Sequence, residues 1–92
     1  MIRTFRHKGL KLLFETGSHR GVPPELAERI TRRLDRLDAS EVVRDLDLPG
    51  FGLHELKGSR AGTWSFKVSG NWRITFRFED GDAFEVHLED YH

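Results

Sequence analysis

The chain has no cysteine among its 92 residues. Disulfides, thiolate nucleophiles and cysteine-ligated zinc are therefore excluded, and the composition fits a reducing cytoplasm. Long apolar runs are also missing, because nothing approaches the roughly 20 residues that a membrane-spanning helix needs. The apolar run near the start, within MIRTFRHKGLKLLFETG, is short, broken by charge and followed by no small-residue cleavage site. It reads as part of the folded domain rather than as a secretory signal, and no membrane partner is expected. Two further absences narrow the chemistry: there is no His-Glu-x-x-His segment to hold a metal and no Gly-x-Ser-x-Gly turn to present a serine nucleophile. Repeats, low-complexity tracts and linkers are missing too, so a single domain over residues 1–92, with one core and one working surface, is expected.

Net charge is zero, but the charge is segregated. Successive stretches carry +5 over residues 1–36, −4 over 37–56, +5 over 57–78 and −6 over 79–92. A near-neutral chain of this kind still presents local basic surface to a polyanion. The composition alone equally fits a solvated surface laced with cross-strand ion pairs. The chemistry concentrates in LHELKGSRAGTWSFKVSGNWRITFRF, residues 53–78, which holds Lys57, Arg60, Lys67, Arg73 and Arg77 and, after Glu55, no acid. Within it Trp72, Ile74, Phe76 and Phe78 alternate with Arg73, Thr75 and Arg77. A half-buried strand would send the aromatics to a core and the arginines to the opposite face.

The remaining elements follow from periodicity. Ile2 to Phe5 is extended in character and forms the first strand; Leu10, Leu13 and Phe14 then recur at helical spacing up to a stop at Gly17. Pro23-Pro24 opens a second helix whose apolar stripe is Ala27, Ile30, Leu34 and Leu37, with Arg29, Arg32, Arg33 and Arg36 on its outer side, where a solvated face is favoured over contact with RNA. An acidic connection over residues 38–48 leads to strands at 51–56, 63–69, 71–78 and 83–89. Gly70-Asn71 and Asp80-Gly81 are hairpin signals, so the last three strands form an antiparallel meander. In the last strand Phe84, Val86 and Leu88 point to the core and Glu85 and His87 to the other face. Trp64 and Trp72 are in phase with apolar positions, which favours core packing over stacking on a base.

Among the five histidines, His7 and His19 lie where no catalytic partner is near in sequence, and His87 sits on the polar face of the last strand. His54 and His92 differ, since strand ends carry both toward one sheet mouth together with Asp90, Lys57, Arg60 and Arg73. Imidazoles with pKa near ~6.5, a carboxylate and several cations suit metal-free RNA cleavage. A base takes the ribose 2′-hydroxyl proton, cations stabilise the phosphorane, and an acid protonates the departing 5′-oxygen. A non-catalytic nucleic-acid binder and a generic small α+β domain fit the same pattern.

Further residues carry a family likeness: the opening Ile-Arg-Thr-Phe-Arg-His-Lys-Gly-Leu-Lys-Leu-Leu-Phe, Gly-Val-Pro before the second helix, His54-x-Leu-Lys57-Gly, Trp64-Ser, Asn71-Trp72-Arg73-Ile74-Thr75-Phe76 and the ending Glu89-Asp90-Tyr91-His92. Over essentially its whole length the chain resembles a HigB-type toxin of the RelE/ParE superfamily, the toxin half of bacterial type II toxin–antitoxin pairs. The resemblance implies an α+β RelE-like domain, two N-terminal helices packed on a twisted, mainly antiparallel sheet of four to five strands. It also implies a cytoplasmic, ribosome-dependent endoribonuclease that needs no cofactor or metal and cuts messenger RNA in the A site of the 70S ribosome. A HigA-like helix-turn-helix antitoxin is the implied partner. The family's active-site residues fall on His54, Asp90, Tyr91 and His92, with Lys57 and Arg73 as phosphate contacts. Arg60 joins them on charge and position. Thr63 stands where an aromatic is often found, and Ser69-Gly70 replaces a more basic turn, which bears on codon preference. The competing reading within the superfamily is a ParE-like gyrase inhibitor without nuclease activity; retention of His54 and His92 argues against it.

Overall fold

The computed structural model describes residues 1–91. Two helices, α1 (Lys8–Thr16) and α2 (Ala27–Ala39), pack on one face of a four-stranded sheet of β1 (His54–Glu55), β2 (Thr63–Ser69), β3 (Trp72–Glu79) and β4 (Asp82–Asp90). The strands run antiparallel in sequence order, β1-β2-β3-β4. This is the α+β arrangement expected from the sequence.

Local chemistry explains the boundaries. The imidazole of His7 caps α1 by accepting from the Leu10 amide at 3.1 Å, and Gly17, at φ 79°, closes it by donating its own amide to the Leu13 carbonyl. Pro23 and Pro24 lead into a 3-10 turn before α2, where a missing amide costs least. Asp80 and Gly81 both have positive φ, the requirement of the tight turn that joins β3 to β4. Gly9 and Gly21 let α1 and the loop before α2 touch through their backbones. A Cβ on Gly9 would lie 2.2 Å from the Gly21 carbonyl oxygen.

The core lies between the helices and the sheet. Ile30, Leu34 and Leu37 of α2 and Leu10 and Leu13 of α1 meet Phe66, Val68, Ile74, Phe76, Val86 and Leu88. Phe51, Phe66 and Phe76 form a chain of tilted ring contacts, 5.2 and 5.7 Å between centroids. Trp64 and Trp72 pack against this core, as their phase in the strands requires.

Three expectations are revised. The first strand is not a full strand: Ile2 and Phe5 make isolated parallel bridges to Ala83 and Val86, so this segment lines the outer edge of β4. There the Met1 amino group donates to the Gly81 carbonyl and faces Asp82. The strand expected over 51–56 contracts to His54–Glu55, because Gly52, at φ 56°, breaks the extended run, although the Phe51 carbonyl still accepts from the Lys67 amide of β2 at 2.6 Å. The third revision is in β4, whose register with β3 shifts between Thr75↔His87 and Arg77↔Phe84. Glu85 is the inserted residue, at φ 53°, and a β-bulge of this kind reverses side-chain parity beyond it. Ala83 rather than Phe84 is consequently the buried partner of Val86 and Leu88, and Phe84 shares the face of Arg77.

The Gly9–Gly21 contact yields a stability test. Gly9→Ala should lower unfolding free energy by about 1–3 kcal/mol, since neither backbone can move without shifting α1. Urea denaturation should show a lower midpoint at an unchanged m-value; an unchanged midpoint would mean that the two segments separate freely.

Candidate active site

The helices cover one face; the other carries the polar side chains, with Ser65 and Thr75 buried at its centre, and its rows follow from the register. One row runs His54, Ser65, Thr75, His87 across the four strands. Beside it on one side lies Lys67, Arg73, Glu89, and on the other Thr63, Arg77, Phe84. Cations thus flank a central row of hydroxyls and imidazoles.

Glu89 organises this face. Its carboxylate accepts two hydrogen bonds from the Arg60 guanidinium, one at 3.0 Å, and a third from the Thr75 hydroxyl. Arg60 belongs to a 3-10 turn, Gly58–Arg60, in the β1–β2 connection, so the bidentate pair folds that turn over the sheet as far as β4. The same hydrogen bonds hold the Glu89 carboxyl below the usual carboxylate range, the one from Arg60 contributing most, and raise the Arg60 guanidinium in return. Tyr91 lies within reach of Arg60 as well, and its ring sits 5.5 Å beneath the Arg73 guanidinium. The Tyr91 amide donates to the Asn71 carbonyl at 2.8 Å, which fixes the chain just past β4.

The residues expected at the site are distributed as follows. Arg60, Arg73 and Tyr91 come together around Glu89. His54 is exposed on β1, its Nδ1 3.1 Å from the Gly52 carbonyl oxygen, and strand spacing puts its backbone about 12 Å from that of Arg73. Lys57 is exposed immediately before the 3-10 turn. Asp90 is exposed at the end of β4 in register with Trp72, one position out of phase with Glu89. His92 lies outside the described residues.

Two groups that the sequence left in the background occupy this face. His87 and His7, set aside as surface residues, are half-buried and stack with 5.6 Å between ring centroids. Burial, more than any charge, lowers the pKa of both; His87 adds to the effect on His7, and Glu89 partly offsets it on His87. Glu89 itself was the other omission. The signal for both was parity: positions 87, 89 and 91 share the face of Arg73.

A second basic feature lies on the helix side. Arg29, Arg32, Arg33 and Arg36 were expected on a plain solvated face, yet they line a cleft of about 630 Å³ with Lys67 and the β2–β3 turn. Arg33 lies over the Phe51 ring at 4.1 Å, Arg29 donates to the Val68 carbonyl, and Arg32 pairs with Glu28 at 2.7 Å. Burial, with Arg29 and Arg32 nearby, depresses the Arg33 guanidinium. Among the described residues, no group of three or more histidines, aspartates or glutamates is placed to hold a metal, and no helix is long and apolar enough to cross a membrane.

Residues 3–92 match the family model for HigB-like toxins, described as the RelE-like toxin of type II toxin–antitoxin system HigB. The chain belongs to the HigB-like toxin family. It is 50% identical over 92 residues, the whole of both chains, to Endoribonuclease HigB of Proteus vulgaris. It is 30% identical over 93 residues to Toxin HigB-1 of Vibrio cholerae serotype O1, covering 99% of this chain and 98% of that one. An uncharacterized protein of Haemophilus influenzae is 26% identical over 89 residues, 95% of this chain and 88% of that one. A type II toxin implies an antitoxin partner.

In this HigB-like toxin the imidazole pair makes stability depend on pH. His7 and His87 have folded pKa values below the ordinary ~6.5, so their contribution is complete above that value and is lost as pH falls below it. Glu89, also depressed, adds a second loss at lower pH, as it protonates and releases Arg60. The melting temperature should therefore fall as pH drops from ~7 to ~5, and His87→Gln should flatten that slope. Identical slopes for both proteins would show that the pair does not titrate with folding.

Proposed function

We propose that this toxin is an endoribonuclease that cuts messenger RNA in the ribosomal A site and so arrests translation, using acid–base chemistry without a metal. The observation that supports the reading is the polar face itself, where Arg73, Tyr91 and the Arg60–Glu89 pair converge, with exposed His54 on the same face about 12 Å from Arg73. The name of the Proteus vulgaris relative supports it, through full-length similarity. A basic face of this size gives affinity for phosphates but little sequence readout, so the ribosome supplies the positioning of the message.

The roles follow from chemistry. One imidazole of His54 and His92 removes the ribose 2′-proton; the 2′-oxygen attacks phosphorus, and the other imidazole protonates the departing 5′-oxygen, leaving a 2′,3′-cyclic phosphate. Arg73 and Lys57 stabilise the additional negative charge of the phosphorane, and Arg60, held by Glu89, is the third cation. Tyr91 positions the nucleotide, and Asp90 orients an imidazole. The toxin acts in the cytoplasm, and a HigA-like helix-turn-helix antitoxin neutralises it.

Mapping 3′ ends of translated messages after expression tests the reading as a whole. Cuts within codons of translated frames are expected; intact messages with inhibited supercoiling would instead identify a gyrase inhibitor. Among variants, Arg73→Ala should lower single-turnover cleavage on programmed ribosomes by about 10² to 10³-fold with the melting temperature unchanged. Arg32→Ala, whose partner is Glu28 on the same helix, should leave the rate nearly intact. Equal losses would point to diffuse electrostatic attraction rather than a positioned site. Deleting His92 alone should reduce cleavage by about 10² to 10⁴-fold and abolish growth inhibition. Full toxicity of the truncated chain at matched expression would remove His92 from the mechanism.

A further inference from the structure

We propose that the polar face carries a second nucleotide subsite beside the cleavage site, in which a base stacks on Phe84 while Arg6 and Arg77 hold the adjoining phosphate. The proposal rests on the reading of the toxin as an RNA-cutting enzyme.

The bulge in β4 is the first observation. Glu85 sits at φ 53°, a conformation that residues with a side chain rarely adopt. The N-terminal segment holds it there: the Thr4 hydroxyl accepts from the Glu85 amide at 2.7 Å, the Thr4 carbonyl from the Val86 amide at 3.1 Å, and the Val86 carbonyl from the Arg6 amide at 2.8 Å. Bulges re-aim side chains, and this one turns Phe84 away from the core. All six other phenylalanines lie in the core or pack against it, while half-buried Phe84 does neither. An aromatic ring is thereby placed on a polar face, opposite Arg77.

The cations beside it are the second observation. A cleft of about 210 Å³ on the same face is lined by Arg6, Arg60, Thr75, Arg77 and Glu85 among others; Phe84 does not line it but adjoins it as the cross-strand partner of Arg77. Among the described residues the ion pair of Arg77 is with Glu85, at a loose 3.9 Å, with the two side chains 44% and 62% exposed. Arg6 has no carboxylate partner among the described residues. Ring and guanidinium groups side by side are what a single-stranded nucleic acid needs, one for the face of a base and the other for the backbone.

Continuity is the third. Arg60 and Thr75 belong both to this cleft and to the Glu89 cluster. Arg73 and Arg77 lie on one face of β3 about 13 Å apart, on either side of buried Thr75, a separation that a few nucleotides of RNA passing over the Arg60 turn would span. Because every base has a π-face, the subsite adds grip on the message without reading its sequence.

The test couples Phe84 to a base. Programmed ribosomes receive messages in which one abasic residue replaces, in turn, each nucleotide flanking the cut. At one position the abasic residue should lower kcat/KM of the wild-type toxin by roughly 5- to 100-fold. Phe84→Ala should suffer a similar loss on the intact message and no further loss on that abasic one. Phe84→Trp should retain activity where Phe84→Leu does not, which separates stacking from packing, and melting temperatures should match throughout. In parallel, binding of a short 2′-deoxy oligonucleotide, followed by fluorescence anisotropy, should weaken in Phe84→Ala and Arg77→Gln and strengthen in Glu85→Gln. Losses that simply multiply, or a Phe84→Leu toxin as active as wild type, would overturn the subsite while leaving the ribonuclease reading in place. A wild-type toxin that cuts no message yet binds the oligonucleotide through Phe84 would overturn the ribonuclease reading and keep the subsite.

Discussion

The polar face depends on one ion pair. Arg60 and Glu89 are 29 positions apart in sequence, and their bidentate contact ties the turn between β1 and β2 to the far strand of the sheet. Exposed salt bridges contribute little, but this one is planar, doubly hydrogen-bonded and partly shielded, with Glu89 only 18% exposed. Its value is geometric. Without it, the turn would have no anchor across the face, and Arg60 would join the neighbouring cations in mutual repulsion. With it, one acid holds a cation in place, while Arg73 lies over the Tyr91 ring.

The division of the sheet into two unlike faces was legible from β3 alone, because strict alternation over Trp72 to Phe78 leaves no other way to bury the aromatics. The α2 stripe and the hairpin turns were legible for similar reasons, each resting on a short-range rule. What escaped was long-range. The bulge at Glu85 is held by Thr4, 81 positions away, and nothing in the local sequence of β4 announces it; one inserted residue then reversed the expected side of Phe84. Glu89 escaped for a related reason, since its importance comes from Arg60 and Thr75 rather than from its neighbours. The basic cleft on α2 was hidden in the same way, because helical spacing shows that four arginines share a side but not that the β2–β3 turn closes over them.

The zero net charge conceals how the charges are arranged in space. Acidic residues late in the chain do not cancel the basic stretch uniformly: Glu89 neutralises Arg60, while Asp82 is occupied with Arg3 and the Met1 amino group. Arg73 instead lies over the Tyr91 ring, and Lys67 lines the basic cleft beside α2. A chain with the same composition and scattered ion pairs would have the same pI and no such surface.

Met1 and Tyr91 lie at opposite ends of β4. The Met1 amino group is fastened to Gly81 and Asp82 where the strand begins, and Tyr91 is fastened to Asn71 where it stops. Nine residues of strand separate them, about 25–30 Å. An affinity tag placed ahead of Met1 therefore emerges far from Arg73 and the Tyr91 ring.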